Sequence, residues 1–188
     1  SCESFDIAEV INLGNQPLAN NLQSSQNSEA KKYPLVLCKC NICDTLQLSI
    51  NVNPEILFRK YVWVTGTSQV AKDYSKAFFN DAEKFLENNN ELVIEIASND
   101  GTFLKQFQKN GFNVLGVDPA ENIAKLANES GIRTLPYFFN SEKSKRIRNN
   151  YGEAGLIFAR NVIPHVPDAK GIIEGIANCL KEGGIGII

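Results

Sequence analysis

The 188-residue sequence has no methionine, one histidine and one tryptophan. It also lacks an excess of charge of either sign. Nineteen Lys and Arg against 21 Asp and Glu leave a formal charge of −2, without the basic surplus that would point to a nucleic-acid partner. Long apolar runs are missing too, which argues against a bilayer-spanning helix and a membrane partner. The N-terminus, SCESFDIAEV, has no basic-then-apolar secretory pattern. A soluble, cytoplasmic protein is expected. The missing Met, an initiator included, predicts a fragment of a longer protein. So does the end, LKEGGIGII, which reads as a helix closed by Gly183-Gly184 and then a strand cut in mid-run. The 43% apolar composition is enough for the core of one ordinary domain plus a small appendage.

Two textures divide the chain. Residues 1–60 read as short extended pieces and turns, with four of the five cysteines, and predict a small domain that needs a staple. Residues 61–90 hold a linking piece, YVWVTGTSQ, and a long helical pattern, AKDYSKAFFNDAEKFLENNN, with Tyr74, Ala77, Phe78, Ala82, Phe85 and Leu86 near one face. Residues 91–188 alternate strand and helix signals: strands at 92–97, NVLGVD, TLPYFF, GLIFARNV and IGII, and helices at 102–110, ENIAKLANES, SEKSKRIRNN and DAKGIIEGIANCLKEG. Five such units predict an α/β fold, a doubly wound, Rossmann-like parallel sheet. Ser24 to Ser28 reads as a short polar loop.

In IEIASNDGTFLKQF, Ile94 to Phe107, an apolar run breaks at Ala97 into Ser98-Asn99-Asp100-Gly101, and a helical pattern starts at once. A strand, a tight turn and a helix are the architecture of a nucleotide or cofactor site. Dinucleotide folds place a second glycine where the pyrophosphate meets the backbone. Here the alternation is Glu95-x-Ala97-x-Asn99-x-Gly101, so a side chain and the Asp100 carboxylate oppose a phosphate by sterics and charge. S-adenosylmethionine has no phosphate, and its ammonium, carboxylate and sulfonium suit polar and acidic groups; NAD comes second. Asp118, which ends the second strand before Pro119, can accept both ribose hydroxyls of a nucleoside. A lone glycine turn and an Asp-Pro cap also occur without any ligand, and it is the combination with the five-unit alternation that carries the site.

Cys38, Cys40 and Cys43 form C-x-C-x-x-C, and Cys2 opens the chain. The Cys40-x-x-Cys43 knuckle offers two thiolates to a tetrahedral zinc, and Cys2 is the natural third ligand. The fourth would lie three positions upstream of Cys2, or be Cys38. A disulfide is disfavoured in a cytosolic protein, and reduced buried cysteines are the remaining alternative. Cys179 shares an apolar helix face with Ile172, Ile176 and Leu180 and reads as core. The single histidine, His165, and Asn161 lie just past the fourth strand, where open α/β sheets place their ligand crevice, and His165 can act as acid or base.

The motifs NLGNQPLANNL, YPLVLCKCNICDTLQL, LFRKYVWVTGTS, VIEIASNDGTFL, VLGVDPAENIA and NVIPHVPD, in that order, closely resemble the zinc-containing C-methyltransferases that act on nucleotide-linked keto-deoxysugars. The resemblance covers almost the whole chain. It implies a small N-terminal zinc-binding domain, a class I S-adenosylmethionine domain, and a third domain that completes the sugar site. It implies removal of the proton beside the sugar ketone and attack of the enolate carbon on the sulfonium methyl. Carried over, Cys40 and Cys43 match the second zinc pair and Cys2 the end of the first. Asn99, Asp100 and Gly101 match the cofactor loop, Asp118 the ribose carboxylate, His165 an active-site histidine, and Tyr61 an aromatic of the segment covering sugar and cofactor. Trp63 stands where a second Tyr is common, and the Tyr/His/Glu/His cluster associated with the catalytic base would follow the fifth strand. Two other readings are a non-catalytic cofactor-binding module and an RNA-modifying methyltransferase with a zinc ribbon. The latter predicts a basic, aromatic surface near the cysteines, where residues 31–43 offer three lysines and Tyr33.

Overall fold

The computed structural model describes residues 2–20, 22, 25 and 29–188, so the polar loop read at Ser24–Ser28 lies, Ser25 apart, outside the described residues. The chain separates into two compact units, Ser1–Phe58 and Arg59–Ile188. The first is a three-stranded antiparallel sheet of β1 (Ile7–Pro17), β2 (Lys32–Cys40) and β3 (Leu46–Leu48), followed by a short helix, α1 (Pro54–Phe58). Cys38 and Cys40, two apart on β2, are its buried side chains among the described residues, while β1 is exposed along its length. So small a sheet buries little apolar surface of its own.

The second unit opens with α2 (Gln69–Ala82), whose N-cap Ser68 accepts a hydrogen bond from the Ala71 amide. Its buried residues are Ser75, Phe78, Phe79 and Ala82, whereas Tyr74 and Phe85 are about half exposed. The buried stripe thus keeps Phe78 and Ala82 of the expected face, with Leu86 partly buried against it, and adds Ser75 and Phe79, and the helix gives way to a 3-10 turn at Glu83–Phe85. A five-stranded sheet follows, of β4 (Leu92–Ile96), β5 (Asn113–Val117), β6 (Thr134–Leu135), β7 (Ala154–Phe158) and β8 (Leu180–Ile187). All its pairs are parallel and the order is β6-β5-β4-β7-β8. The connecting helices are α3 (Leu104–Lys109), α4 (Glu121–Glu129), α5 (Ser141–Tyr151) and α6 (Ala169–Cys179). This is the doubly wound topology that the alternation predicts.

Two boundaries differ from expectation. The third strand stops at Leu135 because Pro136 has no amide to continue the ladder. Helix α6 ends at Cys179 rather than near Gly183: Leu180 is extended, with φ −70° and ψ 143°, and pairs with Ala154. The register then slips before Leu156 meets Ile185, with Gly183 at φ +73° in the intervening bend.

Period-two alternation splits the core between the sheet's faces. Ile94 and Ile96 of β4 pack with Ile157, Ile147, Ile172, Ile176 and Cys179. Val93 of β4 faces Leu156, Phe158 and the phenylalanines of α2 and α3. Phe78, Phe79, Phe107, Phe112 and Phe158 form a chain of edge and tilted contacts with centroids 4.8–6.4 Å apart. Cys179 is fully buried, as expected, and donates to the Ser144 carbonyl at 3.1 Å, while burial pushes its thiol up to about 11.

Candidate functional site

Open parallel sheets bind ligands outside the carboxyl ends of their strands, where the strand order reverses. Here that point lies between β4 and β7. The turn after β4 is conformationally costly. Ala97, Asn99 and Gly101 all have left-handed backbones, with φ +53°, +51° and +76°. For a non-glycine residue this costs roughly 1–2 kcal/mol, less for Asn. Gly101 is required twice over, because a Cβ there would also lie 2.7 Å from Cγ2 of Ile132.

Backbone and side-chain bonds pin the turn. The Ala97 amide donates to the Val117 carbonyl at 2.7 Å. The Asn99 amide donates to Oδ2 of Asp118 and the Ala120 amide to Oδ1, each at 2.8 Å. Asp118 is only 6% exposed, and burial raises its pKa against these two amides, which lower it. Each carboxylate oxygen keeps a second acceptor position. Pro119 follows, half-buried, and its carbonyl accepts from Arg59 at 3.4 Å.

Glu95 lies on the aromatic face of β4 with no exposure. Burial pushes its carboxyl up to about 8, although the Arg160 guanidinium, 2.7 Å from Oε1, works in the opposite direction. Arg160 follows β7, with Cζ 3.0 Å from the Phe103 ring centroid. Glu95 Oε2, Ser98 Oγ and Arg160 Nε are buried polar atoms without a hydrogen-bond partner among the described residues, an arrangement that calls for a polar ligand or water. Sequence reasoning overlooked Arg160 and Ser98. The available signal was a pair of opposite charges at the ends of neighbouring apolar strands, since a charge in such a place needs a partner.

Asn99 and Asp100 direct their side chains to a segment far away in sequence. Oδ1 of Asn99 accepts from the Thr65 amide at 2.8 Å, and Nδ2 donates to the Trp63 carbonyl at 3.0 Å. Oδ2 of Asp100 accepts from the Gly66 amide at 2.9 Å, and Oδ1 accepts from the amide and hydroxyl of Thr102. Tyr61 is held through its backbone, its amide and carbonyl both bonded to the Asn122 side chain. Asn161, at φ +54°, and His165, in a 3-10 turn, are exposed in the loop after β7, on the same edge of the sheet.

In the first unit, the Sγ atoms of Cys2, Cys40 and Cys43 lie within 4.8 Å of one another. Cys2 and Cys40 are 3.6 Å apart, close to the ~3.8 Å separation of two thiolates on a tetrahedral zinc with 2.3 Å bonds. The pairing of Ile7 with Cys40 brings the start of the chain to the knuckle, and the Asp44-to-Cys40 and Cys40-to-Thr45 backbone bonds close it. Hydrogen bonds from the Thr45 side chain and backbone, and from Cys2, hold the Cys43 thiol down at about 6. Against the Ser4 amide, which lowers it, hydrogen bonds with Cys43 and Cys40 raise the Cys2 thiol, so the ready ionisation that suits a metal thiolate belongs to Cys43 of this pair. Cys38 does not join this group. Among the described residues no helix is long and apolar enough to cross a membrane.

Comparison with known proteins gives these sites a family. Residues 1–58 match a family described as "Putative zinc binding domain", and residues 68–188 match one described as "Methyltransferase domain". The C-methyltransferase NovU of Streptomyces niveus is 30% identical over 98% of this chain and 44% of its own length. A ubiquinone biosynthesis O-methyltransferase of Hydrogenovibrio crunogenus is 25% identical over 54% of this chain and 43% of its own length. The chain thus spans under half the length of these curated relatives. Among solved structures, an S-adenosylmethionine-dependent methyltransferase from Anabaena variabilis superposes with a TM-score of 0.52 at 19% identity, covering 67% of this chain and 54% of its own. The PH0226 protein of Pyrococcus horikoshii gives 0.51 at 15% identity, covering 72% and 62%. The parallel sheet of residues 92–187 is thus the class I methyltransferase fold, and the chain belongs to the methyltransferase-domain family.

Proposed function

We propose that this chain is the zinc-bearing and S-adenosylmethionine-binding part of a C-methyltransferase acting on a nucleotide-linked keto-deoxysugar through an enolate. The observation that carries the cofactor assignment is the Asp118 carboxylate, held by two amides at the end of β5 beside a turn with no phosphate cradle. Asp118 accepts the ribose hydroxyls. The turn from Ala97 to Gly101 offers its backbone, and the unpartnered Glu95 Oε2 and Ser98 Oγ suit the cofactor's amino-acid end. When bound, the cofactor supplies an electrophilic methyl group on sulfur. The 30% identity to a C-methyltransferase supports carbon as the methyl acceptor, and the sequence motifs support the sugar class. His165, exposed after β7, can hydrogen-bond the enolate oxygen or carry a proton, a role typically worth ~10²–10⁴-fold. Cys2, Cys40 and Cys43 hold the structural zinc.

Titration calorimetry tests the reading. S-adenosylhomocysteine should bind and NAD should not. Asp118→Ala should weaken the former by ~1–3 kcal/mol, the cost of losing buried hydrogen bonds to a charged group. Tight NAD binding, or no binding of S-adenosylhomocysteine, overturns it.

A further inference from the structure

The backbone from Arg59 to Gly66 runs across the carboxyl ends of the strands. The Arg59 side chain reaches the carbonyls of Pro136, past β6, and Pro119, past β5. The Glu121 amide donates to the Arg59 carbonyl, and Asn122 holds Tyr61. At β4 the strap meets Asn99 and Asp100, whose side chains take the backbone of Trp63, Thr65 and Gly66. Both Asn99 amide atoms are used in the one orientation that satisfies an N–H and a C=O together. The fit at Gly66 is close: a Cβ would lie 2.4 Å from Asp100 Oδ2 and 2.9 Å from Thr102 Oγ1. A turn with three left-handed residues in five persists only when its surroundings over-determine it, and these three bonds tie it to a second segment.

We infer that Asn99 and Asp100 are positioning residues. Their side chains latch the strap onto the strained turn, and they influence methyl transfer through the strap and its aromatic residues Tyr61 and Trp63, not by touching the cofactor. The inference rests on the methyltransferase reading for its consequence, but the latch itself can be measured without that reading.

Trp63 is the sole tryptophan and is 53% exposed, so its fluorescence reports the strap. The test compares Asn99→Gly, which removes the side chain and keeps the left-handed backbone, with Asp100→Ala and with Gly66→Ala, which disturbs the latch from the strap side. Each should speed hydrogen exchange at the Thr65 and Gly66 amides by about fivefold or more, since each hydrogen bond contributes ~1 kcal/mol to local protection. Each should also raise acrylamide quenching of Trp63. Any loss of S-adenosylhomocysteine affinity should be the same, within about threefold, for turn-side and strap-side variants. Unchanged exchange and quenching in Asn99→Gly and Asp100→Ala overturn the latch. Affinity lost in those two but kept in Gly66→Ala makes them cofactor ligands and also overturns it. If the wild-type chain binds no S-adenosylhomocysteine, the methyltransferase reading fails, and the exchange measurements still decide the latch.

Discussion

Replacing Glu95 by Gln gives a quantitative test of the buried charge at the crevice. Gln has the shape of a protonated glutamic acid and can still accept from Arg160. Glu95 titrates near 4.5 in the unfolded chain and at about 8 in the fold, because burial outweighs the guanidinium. Between those values folding takes up a proton, so raising the pH works against the folded state; above about 8 the penalty stops growing. At about 1.4 kcal/mol per pH unit, Glu95 costs roughly 2 kcal/mol at pH 6 and roughly 5 kcal/mol at pH 9. Glu95→Gln carries no such penalty, so its stability relative to wild type should rise by about 3 kcal/mol between those pH values. Asp118, raised, and Cys43, lowered, titrate as well, but they are common to both proteins and cancel in the difference. Urea unfolding followed by far-ultraviolet circular dichroism at several pH values supplies the measurement. Parallel profiles for the two proteins would refute the reasoning, because they would mean that Arg160 keeps Glu95 ionised throughout the range.

Two further outcomes are expected. The purified protein should carry about one zinc per chain by mass spectrometry, and Cys40→Ser should lose it together with the dichroism of the first unit, because so small a sheet needs its metal; a metal-free chain with that unit intact would contradict the assignment. Phe107→Ala should cost ~3–5 kcal/mol by denaturant unfolding, since the ring is fully buried and meets Phe78, Phe79, Phe112 and Phe158; a loss under ~1 kcal/mol would show that the aromatic cluster closes over the gap.

The parallel sheet was legible because its signal is local. The central strands are apolar runs buried on both faces, as Val93 and Ile94 illustrate, and the helices have their own periodicity and, at Asn140 and Asp168, their own caps. The misses come from tertiary choice overriding local pattern. Tyr74 and Phe85 fit an apolar stripe on paper, yet the sheet selects Phe79 and Ser75, the latter satisfied by the Lys72 carbonyl. Leu180 continues the α6 pattern, yet the edge of β7 captures it as a strand through Ala154.

The site divides along the same line. Gly101 and Asp118 were readable because one residue type answers a local demand, a left-handed bend with no room for a Cβ in the first case and a strand-end carboxylate facing two amides in the second. Asn99 and Asp100 stood out as unusual at that turn, but what they bind could not be read, because Thr65 and Gly66 donate through the backbone and Trp63 accepts through it. A main-chain amide is the same at every non-proline position, so a side chain that recognises a distant amide leaves no complementary residue in the sequence. The only trace at the far end is Gly66 itself, whose missing Cβ makes room for the Asp100 carboxylate. A glycine in TGT reads as an ordinary turn until the Asp100 carboxylate is seen to fill the space a Cβ would need. Polar residues that replace glycines in a cofactor turn thus have two possible addressees, a ligand or the protein's own backbone, and only the three-dimensional neighbours distinguish them.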